Sequence, residues 1–67
     1  MDKMKDFLIE DGKLVKYNGS ETVVVVPEIV WEISNEAFMN CKSLREIILP
    51  ETLEEISDCA FLGCKNL

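Results

Sequence analysis

Cys41, Cys59 and Cys64 are the residues of this sequence best suited to covalent chemistry. A thiolate can attack electrophiles, hold soft metals or exchange disulfides, but each use needs a partner at a suitable spacing. The chain contains no histidine, which removes the usual base of Cys–His and Ser–His pairs. A structural zinc site needs four ligands in paired short spacings, and the three cysteines offer neither. No metal and no cofactor is therefore expected. Glu32 and Glu55, 23 residues apart, are a conceivable acid–base pair, with a solvated acidic face as the competing reading. Reduced thiols are the expectation for an odd number of cysteines without a visible leader. The chain reads as a non-enzyme, with a small metal- or thiol-dependent enzyme as the remote alternative.

Charge narrows the partners. Thirteen Asp and Glu against 7 Lys and Arg leave a net charge of −6. Binding to nucleic acid needs clustered Lys and Arg to meet phosphates, and no such cluster is present. The same deficit speaks against anionic membrane surfaces. Met1-Asp2-Lys3-Met4-Lys5-Asp6 carries both signs of charge with no apolar stretch of signal-peptide length behind it. The longest apolar run, Val23-Val24-Val25-Val26, is far too short to span a bilayer. As written, the chain is expected in the cytoplasm without membrane insertion.

The elements that must position these residues belong to a repeat. Residues 27–44 align with residues 50–67 at an offset of 23, and ten of the 18 pairs are identical. Among them are Pro27/Pro50, Ile33/Ile56, Ala37/Ala60, Phe38/Phe61, Cys41/Cys64 and Leu44/Leu67. In Glu46-Ile47-Ile48-Leu49, Ile47 and Leu49 alternate with Glu46 and Ile48, as a strand requires, and Pro50 ends it. The offset maps this strand onto Val23-Val24-Val25-Val26. Ser34 and Ser57 are placed to cap short helical segments, with Glu36 and Asp58 in their first turns. Ala37, Phe38 and Cys41, with Ala60, Phe61 and Cys64, then fall on an inward face. Each unit predicts strand, turn, helical segment and turn, and must stack on its neighbour to bury its apolar side.

Residues 6–26 do not fit the period. Phe7-Leu8-Ile9-Glu10 and Lys13-Leu14-Val15-Lys16-Tyr17 flank Asp11-Gly12, a hairpin signal. Asn18-Gly19-Ser20 then leads into the valine strand. This predicts an antiparallel β-meander that caps the open core end of the stack. The single domain, residues 1–67, thus divides into a cap at 6–26, a first repeat at 27–49 and a second, incomplete repeat at 50–67.

The stretch Ile33-Ser34-Asn35-Glu36-Ala37-Phe38-Met39-Asn40-Cys41-Lys42-Ser43-Leu44-Arg45-Glu46-Ile47-Ile48-Leu49-Pro50 resembles the BspA-like leucine-rich repeat of bacterial and some protozoan proteins. The shared pattern is isoleucine, alanine-phenylalanine, cysteine, leucine and an isoleucine-x-leucine-proline strand, covering about two thirds of the chain. The resemblance implies an α/β repeat solenoid of leucine-rich-repeat type. It also implies parallel-strand coils used for adhesion and protein–protein contact, commonly on large surface proteins. Such a chain would lie at the cell surface or be secreted if this is a fragment of a typical member.

Two surfaces follow as candidates. With Val24, Val26, Ile47 and Leu49 turned inward, Val23, Val25 and Ile48 turn out together, either as a protein-contact face or as isolated strand formers. Trp31, where the second repeat has Glu54, is either an interface anchor or packs locally on the cap. The outer edge of the last strand, Glu46, Ile47, Ile48 and Leu49, with Phe61 and Leu67 beneath it, is a candidate self-association edge. Cys59 aligns with Glu36 and is the candidate exposed thiol, whereas Cys41 and Cys64 are expected inside the coil as small hydrophobes. The leading expectation is a non-catalytic interaction or adhesion module with a protein partner. Its alternative is a structural unit that pairs with itself as a homodimer.

Overall fold

The structure is a computed structural model that describes residues 3–67. Met1 and Asp2, part of the leader argument, lie outside the described residues. A 3-10 turn at Lys3–Asp6 leads into β1 (Phe7–Glu10) and β2 (Lys13–Tyr17). Then follow β3 (Val23–Val25), β4 (Glu32–Ile33), β5 (Glu46–Ile48) and β6 (Glu55–Ile56).

β1 and β2 form the expected antiparallel hairpin. Its turn uses Asp11 at φ 52 and Gly12 at φ 78, two left-handed residues in succession. That is the geometry for which Asp-Gly is suited, because it matches the twist of the flanking strands. Beyond the hairpin all pairing is parallel. β2, β4 and β6 stack in one sheet, and β3 and β5 form a second. The registers Ile33↔Ile56, Val24↔Ile47 and Val25↔Ile48 are each offset by the 23 residues of the repeat. The first unit therefore lays one more rung on both sheets, and the second adds β6 to the first of them.

Two sequence expectations need correction. The first is the meander. Val23–Val25 does not continue β2 but crosses to the second sheet and pairs with β5. β2 instead serves as the first rung of the parallel ladder, with Leu14 beside Ile33. Residues 7–17 thus form a hairpin whose second strand imitates a repeat strand.

The second correction concerns the helical segments. No α-helix is present among the described residues, and the segments between strands are chains of tight turns. Their N–H groups reach back three residues, not four: Ala37 to the Ser34 carbonyl, Met39 to Glu36, Cys41 to Phe38 and Leu44 to Cys41. The second unit repeats this with Ala60, Leu62, Cys64 and Leu67 as donors. Left-handed backbone at Glu36 (φ 62) and Asn40 (φ 60), and at their counterparts Cys59 (φ 60) and Gly63 (φ 80), breaks any helix twice per unit. Ser34 and Ser57 accordingly cap no helix, and Glu36 and Asp58 sit at no helix N-terminus. The N–H groups freed from helical bonding cross to the next unit. Phe38 donates to the Ala60 carbonyl at 2.8 Å and Asn40 to that of Leu62 at 2.6 Å. In the cap, Tyr17 donates to the Ala37 carbonyl at 2.9 Å, the bond Phe38 makes one unit later.

The core lies between the two sheets and the turns. Leu14, Tyr17, Val24, Val26, Val30, Ile33, Ala37, Phe38, Leu44 and Ala60 are buried there. Four rings thread it as a stack: Phe7, Tyr17, Phe38 and Phe61, with successive centroids 5.2, 5.2 and 5.3 Å apart. Offset aromatic pairs at such distances contribute about 0.5–1.5 kcal/mol each beyond their area burial. Tyr17 takes the place of a repeat phenylalanine, which ties the cap to the array.

Candidate functional site

The strand face is built by the β3–β5 ladder. Both strands bury one side against the core, so alternate residues must face outward. Val24 is buried and Ile47 is half-buried, while Val23, Val25 and Ile48 are exposed. Val25, at 62% exposure, stands in register with Ile48 on the neighbouring strand. Three branched apolar side chains therefore lie together on the surface, with Glu46 beside Val23. Leu49, expected inward, is exposed, because among the described residues no strand covers it as β5 covers its counterpart Val26.

The second surface is the outer face of the second unit. Repeat equivalents act here as internal controls. Ile33 is 0% exposed and Ile56 46%; Leu44 is 1% exposed and Leu67 48%. The residue types are the same, and the difference is that the second unit covers the first member of each pair while no described residue covers the other. Phe61 is half-buried where Phe38 is fully buried. Along this face the Phe61 N–H, counterpart of the Phe38 donor, meets no acceptor among the described residues. The strand-edge residues Glu46, Ile47, Ile48 and Leu49 lie with Phe61 and Leu67 on the units that form it.

Trp31 belongs to neither surface. Its indole Nε1 donates to the Asp11 carbonyl at 2.9 Å, and the Lys13 ammonium lies 5.6 Å from the ring centroid. The ring rests on Gly12, where an added Cβ would overlap the indole. Trp31 latches the first unit onto the hairpin turn, and its ring stays partly exposed. Its partner Gly12 was legible as a turn residue, but nothing in the local pattern linked the two.

The thiols separate as well. Cys59 is exposed, and Cys41 and Cys64 are half-buried. The Cys64 thiol donates to the Phe38 carbonyl in the preceding unit at 2.9 Å. Burial pushes the Cys41 thiol above its ordinary pKa, the adjacent Cys64 thiol adds to this, and Lys16 pulls the other way. Burial likewise raises the Tyr17 hydroxyl, against the Glu21 N–H bond it accepts. Glu32 and Glu55 are register neighbours on β4 and β6, with the Ser34 hydroxyl donating to Glu32 at 3.4 Å. No group of three or more His, Cys, Asp and Glu suited to a metal ion occurs among the described residues. No helix among them is long and apolar enough to cross a membrane. Sequence reasoning missed Thr52, whose hydroxyl lies 2.6 Å from the Glu28 carbonyl and 2.8 Å from that of Val30. Its counterpart is Ile29, so the repeat alignment carried no sign of this tie between units.

Stacked units with parallel rungs at a 23-residue period, held by turns instead of helices, define a repeat protein of the leucine-rich type. The family profile described as BspA type leucine-rich repeat region (6 copies) matches residues 13–67. The chain belongs to this family. The match begins at Lys13, the residue where β2 joins the parallel ladder. No curated protein and no solved structure shows significant similarity to the chain. Repeats of this family are generally protein-interaction or adhesion modules.

Proposed function

We propose that this chain is a non-catalytic protein-binding module, the capped opening of a BspA-type solenoid, whose β3–β5 face meets a protein partner. The observation that carries this reading is the contiguous apolar set Val23, Val25 and Ile48 on the outward side of the ladder. Exposed apolar side chains gathered on a sheet are unusual unless something covers them. An acidic chain with net charge −6 points to a protein partner and away from nucleic acid or anionic lipid. In a cell-surface or secreted parent protein the same face would serve adhesion. The test is a double substitution, Val25→Lys with Ile48→Lys. It should abolish capture of the partner by immobilised protein while leaving the circular dichroism spectrum unchanged. Capture that survives the double substitution places the contact elsewhere.

A second reading rests on the outer face of the second unit. Ile56, Leu67, Leu49 and the Phe61 N–H are suited to another rung of the same kind, supplied by a further repeat or by a second copy of the chain. In the second case two copies would join as a homodimer with continuous sheets. Light scattering decides between them: a monomer at tens of micromolar removes the self-assembling reading.

A further inference from the structure

Cys41 and Cys64 hold the same place in successive units, and their surroundings favour thiol chemistry in three respects. The first is spacing. A Cβ built on Gly63 would stand 3.2 Å from the Asn40 Cα. One further carbon–carbon bond of about 1.5 Å puts the Asn40 and Gly63 Cα atoms no more than about 4.7 Å apart. Cys41 and Cys64 are the next residues along each unit. The units are tied on both sides of them, by the Asn40 N–H to the Leu62 carbonyl at 2.6 Å and the Asn66 amide to the Lys42 carbonyl at 2.7 Å. Disulfides bridge Cα separations of roughly 4.4–6.8 Å.

The second respect is orientation. The Cys64 thiol reaches across to the Phe38 carbonyl of the preceding unit at 2.9 Å, and it stands near enough to the Cys41 thiol to help raise that group's pKa. The third is access. Cys41 lines a surface pocket of about 360 Å³ whose wall carries Lys16 and Lys42, with Glu21 as the carboxylate among the lining residues. On an otherwise acidic protein, two lysines beside a thiol favour a small anionic reagent. Cys64 does not line the pocket.

We propose that Cys41 and Cys64 are a redox-active dithiol that closes into a disulfide between the two units, by exchange with a small anionic disulfide admitted through the Lys16–Lys42 pocket. The Cys41 thiolate attacks one sulfur of the incoming R–S–S–R and expels one thiolate, which takes up a proton. Cys64, losing its own proton, then attacks the Cys41 sulfur of the mixed disulfide and expels the second thiolate. The two protein thiols lose two electrons and two protons, and one R–S–S–R becomes two R–SH. Side chains stacked in register sit at about the 4.8 Å spacing of strands. A disulfide prefers its Cβ atoms at about 3.8 Å, so the bond draws the units together and remains open to reduction. It is a reversible staple across the repeat boundary.

The experiment uses the full chain with Cys59→Ser, so that only the pair remains, and oxidised glutathione as the probe. The expected product has lost two hydrogens, yields linked Cys41 and Cys64 peptides on digestion, and reverts with excess reduced glutathione. With Cys64→Ser added, a glutathione adduct should accumulate on Cys41, because no second thiol resolves it. Stable adducts on Cys41 while Cys64 is present, or two thiols left free, would overturn the proposal. Lys16→Glu with Lys42→Glu should slow reaction with oxidised glutathione several-fold more than reaction with the uncharged hydroxyethyl disulfide, which reads only the change in thiolate population. Slowing by the same factor for both reagents, or no slowing with oxidised glutathione, overturns the role given to the pocket.

Discussion

Ile33 and Ile56 offer a test of stacking within one molecule, because they share residue type, strand position and register. Ile33 lies between Leu14 and Ile56 and is fully buried, whereas Ile56 has a neighbour on one side and remains 46% exposed. Replacing each in turn by valine removes one methyl group and keeps the branched side chain that strands favour. A buried Ile→Val change costs about 0.5–1.5 kcal/mol, so about 1 kcal/mol is expected at Ile33. With nearly half its surface already in water, Ile56 should lose about half of that, roughly 0.5 kcal/mol. At a urea m-value of about 1 kcal/mol/M for so small a chain, the midpoints should fall by ~1 M and ~0.5 M. Urea titration followed by far-ultraviolet circular dichroism reads both, at a concentration where light scattering shows monomer. Equal losses at the two positions would refute the reasoning that the second unit's outer face is uncovered. A larger loss at Ile56 that appears only as concentration rises would instead mark a second copy seated there.

Four further outcomes are expected. Gly12→Ala should lower the melting temperature by several degrees, since it strains a left-handed residue at φ 78 and pushes on the indole; tryptophan fluorescence should shift with it. Cys59→Gly should raise the melting temperature by about 4–8 °C in calorimetry, relieving left-handed strain of roughly 1 kcal/mol at φ 60. Because the folded Cys41 pKa is raised, its contribution to stability is fully present below the unfolded thiol's pKa and is lost as pH rises through the higher folded value. Denaturant titrations of Cys41→Ser should therefore show less weakening on the alkaline side than the parent does, and alkylation at neutral pH should label Cys59 before Cys41.

Much of the architecture is legible in the order of the residues. The 23-residue period appears because every unit must present the same apolar set to its neighbours, which forces the same letters to recur. Strand positions and their outward residues follow from alternation, as Val23, Val25 and Ile48 illustrate. The hairpin turn at Asp11-Gly12 is equally plain, since few dipeptides tolerate two left-handed residues. Cys59 is separable from Cys41 and Cys64 by alignment alone, because its counterpart is a glutamate.

Where the backbone hydrogen bonds go is settled only by tertiary contacts. Ala37, Phe38 and Cys41 have helical spacing, yet the Phe38 N–H bonds to Ala60 in the next unit and the intervening turns close over three residues. That choice is invisible locally, because the competing acceptor lies 22 residues away and exists only once the units stack. Tyr17 entering the ring stack, and Val23–Val25 crossing to β5 instead of extending the hairpin, have the same origin. Trp31 found Asp11 and Gly12 by the same route, through a contact 20 residues distant in sequence. The period, the strands and their faces were written in the chain, because they follow from each residue's own polarity. Pairing between units settled the turns, the cap's true register and the latch, because each depends on a partner brought close only by folding.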